Sequence, residues 1–124
     1  MSDNYRNLIA WQKAKNLALN VYRCTRSFPK DEIYGLSSQM RRAAVSVPSN
    51  IAEGKGRHSH KEFLQFLYHA RGSLLELETQ VSIARDLLYV DLQAFERLES
   101  ETQELGRILN GLINRFQATT QRVS

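Results

Sequence analysis

The sequence predicts an all-α protein, an antiparallel up-down-up-down bundle of four long helices in a single domain over residues 1–124. Apolar residues recur at alternating steps of three and four along most of the chain, which is the period of one helix face. Glycine and proline, with 6 and 2 occurrences, are too few for the many turns of an all-β chain. Only short polar segments separate the periodic stretches, so long helices must fold back on one another.

The first helix is predicted over about residues 7–28, where apolar and small residues from Trp11 onward form one stripe. Phe28 precedes Pro29, and a residue before proline avoids helical geometry. We therefore expect the helix to end there, with a short turn leading into the next one.

The second helix is predicted over about residues 33–54, again from a stripe with steps of four and three. Pro48 lies inside it and removes one backbone donor, which should kink the helix near that point. Gly54 and Gly56 are expected to end it, because glycine accepts the left-handed conformation of a helix C-terminal cap.

The third and fourth helices are predicted over about residues 60–89 and 92–118. The third carries the strongest periodicity in the chain, and Ser59 with Glu62 should form a capping box at its start. Asp91 is a good N-terminal cap for the fourth. The residues after 118 should fray.

Composition bounds the class of protein. A single cysteine, Cys24, excludes an intrachain disulfide framework and fits a reducing compartment. No apolar run approaches the roughly 20 residues of a membrane span, and the start has no signal-peptide core. These observations predict a soluble cytoplasmic protein with no membrane contact.

The net charge of +4 is unevenly placed. Residues 1–62 hold 11 Lys and Arg against 5 Asp and Glu, a net of +6, whereas residues 63–124 hold 6 against 8, a net of −2. A basic first half is compatible with an anionic partner such as a nucleic acid, and equally with a solvated helix face.

No motif for catalysis, a cofactor or a metal occurs in the chain. Glu-x-x-His of di-iron bundles, HExxH, paired cysteines, the GxSxG elbow and the phosphate-binding loop are all missing. His58, His60 and Glu62 could hold a metal weakly, but Ser59 and Glu62 already have a capping role. We expect a protein that is not an enzyme and holds neither metal nor cofactor.

Basic residues around the turn before the third helix form a candidate anion site. Lys55, Arg57 and Lys61 lie between flexible glycines and a helix N-terminus, which presents free amides to phosphate. Arg41 could face either a neighbouring helix or a nucleic acid. The nucleic-acid candidates are therefore Arg41, Lys55, Arg57 and Lys61, and the alternative for the turn is simple solvation.

A second polar set is predicted to be structural. Arg42 should lie near the level of Glu76 across the second and third helices, where an ion pair would fix the register. The predicted polar network consists of Gln39, Arg42, Asn50, Glu53, Glu76 and Gln80.

Apolar residues also lie outside the main stripes, which usually means that another subunit covers them. They are Leu64, Tyr68, Leu75, Ile83 and Leu87 on helix three, Ile9, Leu17 and Leu19 on helix one, and Ile108 and Ile113 on helix four. The alternative is scattered surface residues of the ordinary kind.

Extended motifs run through the chain. Helix one carries L-x-x-W-x-x-A from Leu8 and Y-x-x-T-x-x-F-P from Tyr22. Helix two carries E-x-Y-G-L-x-x-Q-x-R-R-A from Glu32 and S-x-x-x-N-I-A-E-G from Ser46, and helix three carries F-L-x-x-A-x-G-S-x-x-E-L-x-x-Q from Phe66. Together they resemble the bacterial four-helix bundle proteins, some of which are encoded in intervening sequences of 23S ribosomal RNA genes.

The resemblance implies a four-helix bundle assembled into a ring, a pentamer, with no catalytic residues. Similar proteins are accessory factors of diversity-generating retroelements, in which a basic pentamer contacts nucleic acid and a reverse transcriptase. The leading hypothesis is a non-enzymatic homo-oligomer that associates with RNA or DNA through its basic residues. The alternative is a protein-interaction scaffold with no direct nucleic-acid role.

Overall fold

The computed structural model describes residues 4–123, and the side chains of residues 4–120. Its four α-helices are α1 (Ile9–Thr25), α2 (Leu36–Lys55), α3 (His60–Asp86) and α4 (Leu92–Val123). Two short 3₁₀ turns precede α1 and α2. No strand occurs between residues 4 and 123, so the predicted all-α class is confirmed.

The helices pack in a closed cycle, each against the next along the chain and α4 against α1. Contacts across neighbouring helices run in opposite directions. Along α2 and α3, Ser73 donates a hydrogen bond to Ser46 over 2.9 Å, and Gly54 farther along α2 faces Phe66 earlier on α3. This is the antiparallel arrangement of a four-helix bundle.

The predicted stripes form the core. Its largest fully buried apolar side chains come from all four helices: Leu17, Val21, Met40, Val47, Ile51, Leu67, Leu74, Leu77, Leu105, Leu109 and Ile113. Burying one such side chain stabilises the fold by roughly 1.5–3 kcal/mol. Three residues that were predicted to lie on a second, outer stripe, namely Leu17, Leu64 and Ile113, belong to this core instead.

Helix α1 ends at Thr25, three residues before its predicted end. Phe28 is nevertheless buried and packs against Tyr89, with ring centroids 5.3 Å apart. Helix α2 continues through Pro48 to Lys55 as one helix. Pro48 itself is buried, so its ring contributes to the core while the helix passes through it.

The glycines at the end of α2 do not act as predicted. Gly56 caps the helix with a φ of −79°, in the right-handed region, and no glycine in the described part has a positive φ. Gly54 lies inside the helix. A Cβ there would sit 2.5 Å from the Cβ of Phe66, so glycine is needed for the close approach of α2 and α3.

The left-handed cap occurs instead at the end of α3, on Leu88 with a φ of 65°. The Tyr89 amide donates to the carbonyl of Ala84 over 2.9 Å, and the Leu88 amide to that of Arg85 over 3.0 Å. These two bonds define a Schellman motif, which ends α3 at Asp86 rather than near residue 89.

Helix α4 begins with the predicted cap, because the amide of Ala94 donates to Oδ1 of Asp91 over 2.8 Å. It runs to Val123, five residues beyond its predicted end at residue 118, and the fraying of the tail stays a prediction. Phe116 lies near this end of the helix. Its ring packs edge-on against Phe63, with centroids 5.0 Å apart, and anchors the last turns of α4 to α3.

Candidate nucleic-acid interface

The connection between α2 and α3 surrounds an open cavity of about 410 Å³ at one end of the bundle. Its lining residues are Gly54, Lys55, Gly56, Arg57, His58, Ser59, His60, Phe63 and Phe116. Two of them carry cationic side chains, and none of these described lining residues is acidic. The cavity therefore presents positive charge beside aromatic surface.

The start of α3 is capped much as predicted. The Glu62 amide donates to Oγ of Ser59 over 3.1 Å, and the Ser59 hydroxyl lies 3.4 Å from Oε1 of Glu62. The reciprocal contact of Glu62 is thus made to the hydroxyl rather than to the Ser59 amide, which differs from the standard capping box.

The turn amides are less available than the sequence suggested. The Gly56 amide donates to the carbonyls of Ala52 and Glu53 over 3.3 and 3.2 Å, and the Arg57 amide donates to that of Gly54 over 3.1 Å. Because these donors are already engaged, the predicted cradle of free glycine amides is not present. An anion that binds at this turn would therefore be held mainly by side chains rather than by backbone amides.

Three of the four predicted nucleic-acid candidates lie at this turn. Arg57 is exposed, with its guanidinium 4.9 Å from the Phe66 ring centroid. The Lys55 Nζ lies 5.8 Å from the centroid of Phe63, and Lys61 is exposed on the first turn of α3, outside the cavity lining. We call Lys55, Arg57 and Lys61 the basic turn.

Arg57 also forms an ion pair with Glu53, at 3.2 Å between Nη2 and Oε1. Both side chains are about half exposed, and such surface pairs contribute little. The ion pair therefore orients the guanidinium but is weak, so a phosphate could replace the Glu53 carboxylate as its partner.

The fourth candidate, Arg41, lies elsewhere. It is half-buried between α1 and α2, its Nε donates to Oγ1 of Thr25 over 2.8 Å, and its guanidinium lies 4.8 Å from the Tyr22 ring centroid. Of the two orientations left open by the sequence, the structure has the one toward a neighbouring helix.

The predicted polar network does not form as one connected set. Arg42 is exposed and makes no hydrogen bond or ion pair with the other described residues, so the predicted pair with Glu76 is absent in the chain. Glu76 instead accepts from Nε2 of Gln80 over 3.3 Å. Gln39 is exposed, and Glu53 pairs with Arg57 as described above.

Asn50 takes part in a smaller polar contact between α2 and α3. Its amide donates to the carbonyl and to Oγ of Ser46 over 2.8 and 2.9 Å, and Ser46 in turn accepts from Ser73. The Ser46–Ser73 hydrogen bond was not predicted from the sequence. Both serines lie outside the apolar stripes, so the periodic pattern does not indicate that they meet.

The aromatic wall of the cavity was also missed. His60 and Phe116 meet edge-on with centroids 4.9 Å apart, beside the contact between Phe116 and Phe63. The signal that could have found it is the register of an antiparallel α3–α4 pair, which brings the end of α4 to the start of α3.

The family model of the 23S rRNA-intervening sequence proteins matches residues 6–111. The chain belongs to this family. The predicted resemblance to this family is thereby confirmed.

A solved structure supports the fold of this family member. A protein of unknown function from the S23 ribosomal protein family of Bacteroides thetaiotaomicron matches it with a TM-score of 0.77 and 19% identity. The match covers 85% of this chain and 98% of that one, and at this identity it shows the fold alone. No curated protein matches the chain in sequence.

Cys24 is a free cysteine of this family member and a candidate reactive group. Burial, with a smaller contribution from Asp91, raises the pKa of the Cys24 thiol, which favours the unreactive protonated form. Within the described part of the chain, no three His, Cys, Asp or Glu side chains are grouped to hold a metal ion. Among residues 4–123, no helix is both long and apolar enough to span a bilayer.

Proposed function

We propose that this family member is a non-enzymatic homo-oligomer that associates with nucleic acid through the basic turn. The observation that carries the proposal is that Lys55 and Arg57 line a cavity of about 410 Å³ whose described lining holds no carboxylate, with Lys61 exposed on the adjoining first turn of α3. Cations in such a position can neutralise phosphates, which contribute affinity with little sequence information.

The distribution of charge along the chain supports an anionic partner. Residues 1–62 carry a net charge of +6 and residues 63–124 a net of −2, and the basic turn lies at the end of the basic half. Positive charge is thus concentrated on α1, α2 and the connection to α3, whereas α3 and α4 together carry a small negative excess.

Exposed apolar residues on the outer face of α3 support self-association into a ring, a pentamer as the family resemblance implies. Leu75 and Ile83 on α3 and Leu87 directly after its end are 57%, 46% and 49% exposed, and they are separated by multiples of four residues. A row of large apolar side chains is normally covered by a partner. A ring would place one basic turn per subunit on the same rim, where weak phosphate contacts would add.

The second candidate function is a protein-interaction scaffold. The same outer face of α3 favours it, since another protein could cover that face. A reverse transcriptase is such a partner if the gene lies in a retroelement. In that case the basic turn would remain solvated.

The deciding experiment compares two triple variants by fluorescence anisotropy of labelled RNA and DNA across a salt series. The first carries Lys55→Gln, Arg57→Gln and Lys61→Gln. The control carries Arg26→Gln, Lys30→Gln and Arg97→Gln, three exposed cations at the opposite end of the bundle. Both variants have the same reduction in positive charge, so only position differs.

The first variant should bind every sequence more weakly than the parent. The slope of log affinity against log salt is negative, and it should become shallower by about 0.9 for each duplex-DNA phosphate that the variant no longer neutralises. The control should behave like the parent. Equal affinity and slope for the first variant and the parent would remove the basic turn from the interface, and no binding by the parent at low salt would favour the scaffold.

A further inference from the structure

We infer that the cavity beside the basic turn holds a single unpaired nucleotide, so that the protein binds single-stranded nucleic acid in preference to duplex. The base would lie against His60 and Phe116, and its phosphate at Arg57 and Lys55. This inference rests on the proposed function and adds the form of nucleic acid that the site selects.

The shape of the site is the first argument. Cations that serve a duplex lie along a surface that follows its regularly spaced phosphates. Here Lys55 and Arg57 instead flank a concavity of about 410 Å³, which falls within the roughly 300–1,000 Å³ of typical small-ligand sites. A concavity of this size can accept one nucleotide that has left the stack, but not a double helix.

Aromatic surface inside the cavity is the second argument. The ring of His60 is exposed, that of Phe116 is half-buried, and that of Phe63 lies buried behind them. The Phe116 ring meets His60 and Phe63 edge-on, at interplanar angles of 76° and 71°, so the rings line one side of the cavity and a base would stack on the face of a single ring, that of His60 or of Phe116. A base can stack on such a ring only where its own face is free, which is the state of single strands.

The placement of Arg57 is the third argument. Its guanidinium lies over the Phe66 ring and is also held by Glu53, so two contacts orient it at the mouth of the cavity. No described lining residue is a carboxylate, and the nearby Glu53 carboxylate is the group that a phosphate would replace at Arg57. In a nucleotide, the phosphate would bind the cations at the mouth and the attached base would contact the aromatic side of the cavity.

The test measures binding of a labelled twelve-nucleotide strand, alone and annealed to its complement, by anisotropy at equal salt. The proteins are the parent, His60→Ala and the control His69→Ala. Both histidines are exposed on α3, but only His60 lines the cavity. The cations of the basic turn are intact in all three.

The parent should bind the single strand at least about fivefold more tightly than the duplex, the difference expected for one stacked base. His60→Ala should weaken single-strand binding by a similar factor and leave duplex binding unchanged, whereas His69→Ala should match the parent. Equal binding of strand and duplex by the parent would overturn the inference and leave the proposed function standing. No binding of either would remove both.

A second measurement does not depend on a variant. In aromatic carbon–proton NMR spectra of the parent, cytidine monophosphate should shift the resonances of His60 and Phe116, and inorganic phosphate should leave the Phe116 resonances in place. Identical responses to the two ligands would show that the cavity receives phosphate without a base, which also overturns the inference.

Discussion

Arg41 donates from Nε to the Oγ1 of Thr25 over 2.8 Å and so joins α2 to α1. The Thr25 hydroxyl is buried and donates in turn to the carbonyl of Val21 over 2.9 Å. Because Arg41 also stacks on Tyr22, its cation is held between two helices rather than offered to solvent. Arg41 therefore contributes to packing, and the adjacent Arg42 is the exposed member of the pair.

We predict that Arg41→Ala lowers the free energy of unfolding by about 1 kcal/mol, because it removes a charge-assisted hydrogen bond at a half-exposed site. Arg42→Ala should change it by no more than about 0.5 kcal/mol, as is usual for an exposed residue without partners. Urea denaturation followed by circular dichroism measures both. Equal decreases for the two variants would contradict this assignment.

A second contact joins the two connections at the far end of the bundle. Oε1 of Glu32 accepts from the Leu36 amide over 3.0 Å, and Oε2 accepts from the Tyr89 hydroxyl over 2.9 Å. The bond from Leu36 and then that from Tyr89 lower the pKa of Glu32 below its ordinary value. The bond to Glu32 correspondingly raises the pKa of the Tyr89 phenol.

This contact predicts a pH-dependent stability. Since the pKa of Glu32 is lower in the folded state, its contribution is complete above the ordinary glutamate pKa of about 4.3 and is lost as pH falls through the folded value. Tyr89→Phe keeps the ring against Phe28 and removes only the donor. It should lower the melting temperature near pH 7, and the difference from the parent should shrink in acid, as the pH falls below the ordinary glutamate pKa and through the folded value. If the difference in melting temperature does not change with pH, the stabilising effect of the Tyr89 hydroxyl does not come from its hydrogen bond to Glu32.

Gly54 predicts the effect of a single added methyl group. Its Cβ would lie 2.5 Å from the Cβ of Phe66 and 3.0 Å from Cδ1 of Phe63, so Gly54→Ala must move α2 away from α3. Overpacking of this kind costs typically about 1–3 kcal/mol. The matched control is Gly111→Ala in α4, where nothing lies within 4 Å and the helix should gain about 1 kcal/mol. Thermal melts should move in opposite directions, and a neutral Gly54→Ala would refute the close approach.

The elements of the fold were predictable because burial imposes a period that the sequence records. Leu67, Leu74 and Leu77 on α3 belong to a stripe with steps of four and three, and all are buried as predicted. The capping residues Ser59 and Asp91 were equally readable, since their role is local. Such features need no knowledge of which helix lies beside which.

The site was only partly predictable, because its geometry depends on contacts between distant segments. Lys55, Arg57 and Lys61 are close in sequence and remain together, but Phe116 reaches them only through the register of α3 and α4. Arg41 and Arg42 differ by one residue, or roughly 100° around a helix, and the apolar stripe does not decide which of them faces α1.

Leu88 predicts a stabilising substitution. It adopts a φ of 65° in the Schellman motif, a conformation that costs an L-residue about 1–2 kcal/mol. Leu88→Gly should relieve this strain at a smaller entropic cost and raise the free energy of unfolding by up to about 1 kcal/mol. The adjacent Leu87→Gly, at an ordinary φ of −80°, should lower it. Chemical denaturation of both variants checks the prediction, and a decrease in Leu88→Gly would contradict it.

The outer face of α3 predicts how self-association can be broken. Leu75 and Ile83 are exposed in the single chain, so replacing them with charged residues removes no core packing. In an oligomer the same charges would be buried without partners, at a cost of several kcal/mol each. We therefore expect Leu75→Glu with Ile83→Glu to dissociate the assembly while its helical circular dichroism is retained.

Multi-angle light scattering measures this directly against the chain mass of 14.3 kDa. The parent should elute at a multiple of that mass, and the double variant at the mass of one chain. The control is Tyr34→Glu, which alters a side chain that is 96% exposed in the connection between α1 and α2, away from the α3 face. It should keep the mass of the parent, because Tyr34 is not part of the apolar row on α3 that contains Leu75 and Ile83. A parent at 14.3 kDa would refute self-association, and dissociation by Tyr34→Glu as well would place the subunit contact on a different face.

If the ring forms as proposed, the double variant should also bind nucleic acid more weakly with its basic turn unchanged, since joining several weak sites raises avidity by roughly 10²–10⁴.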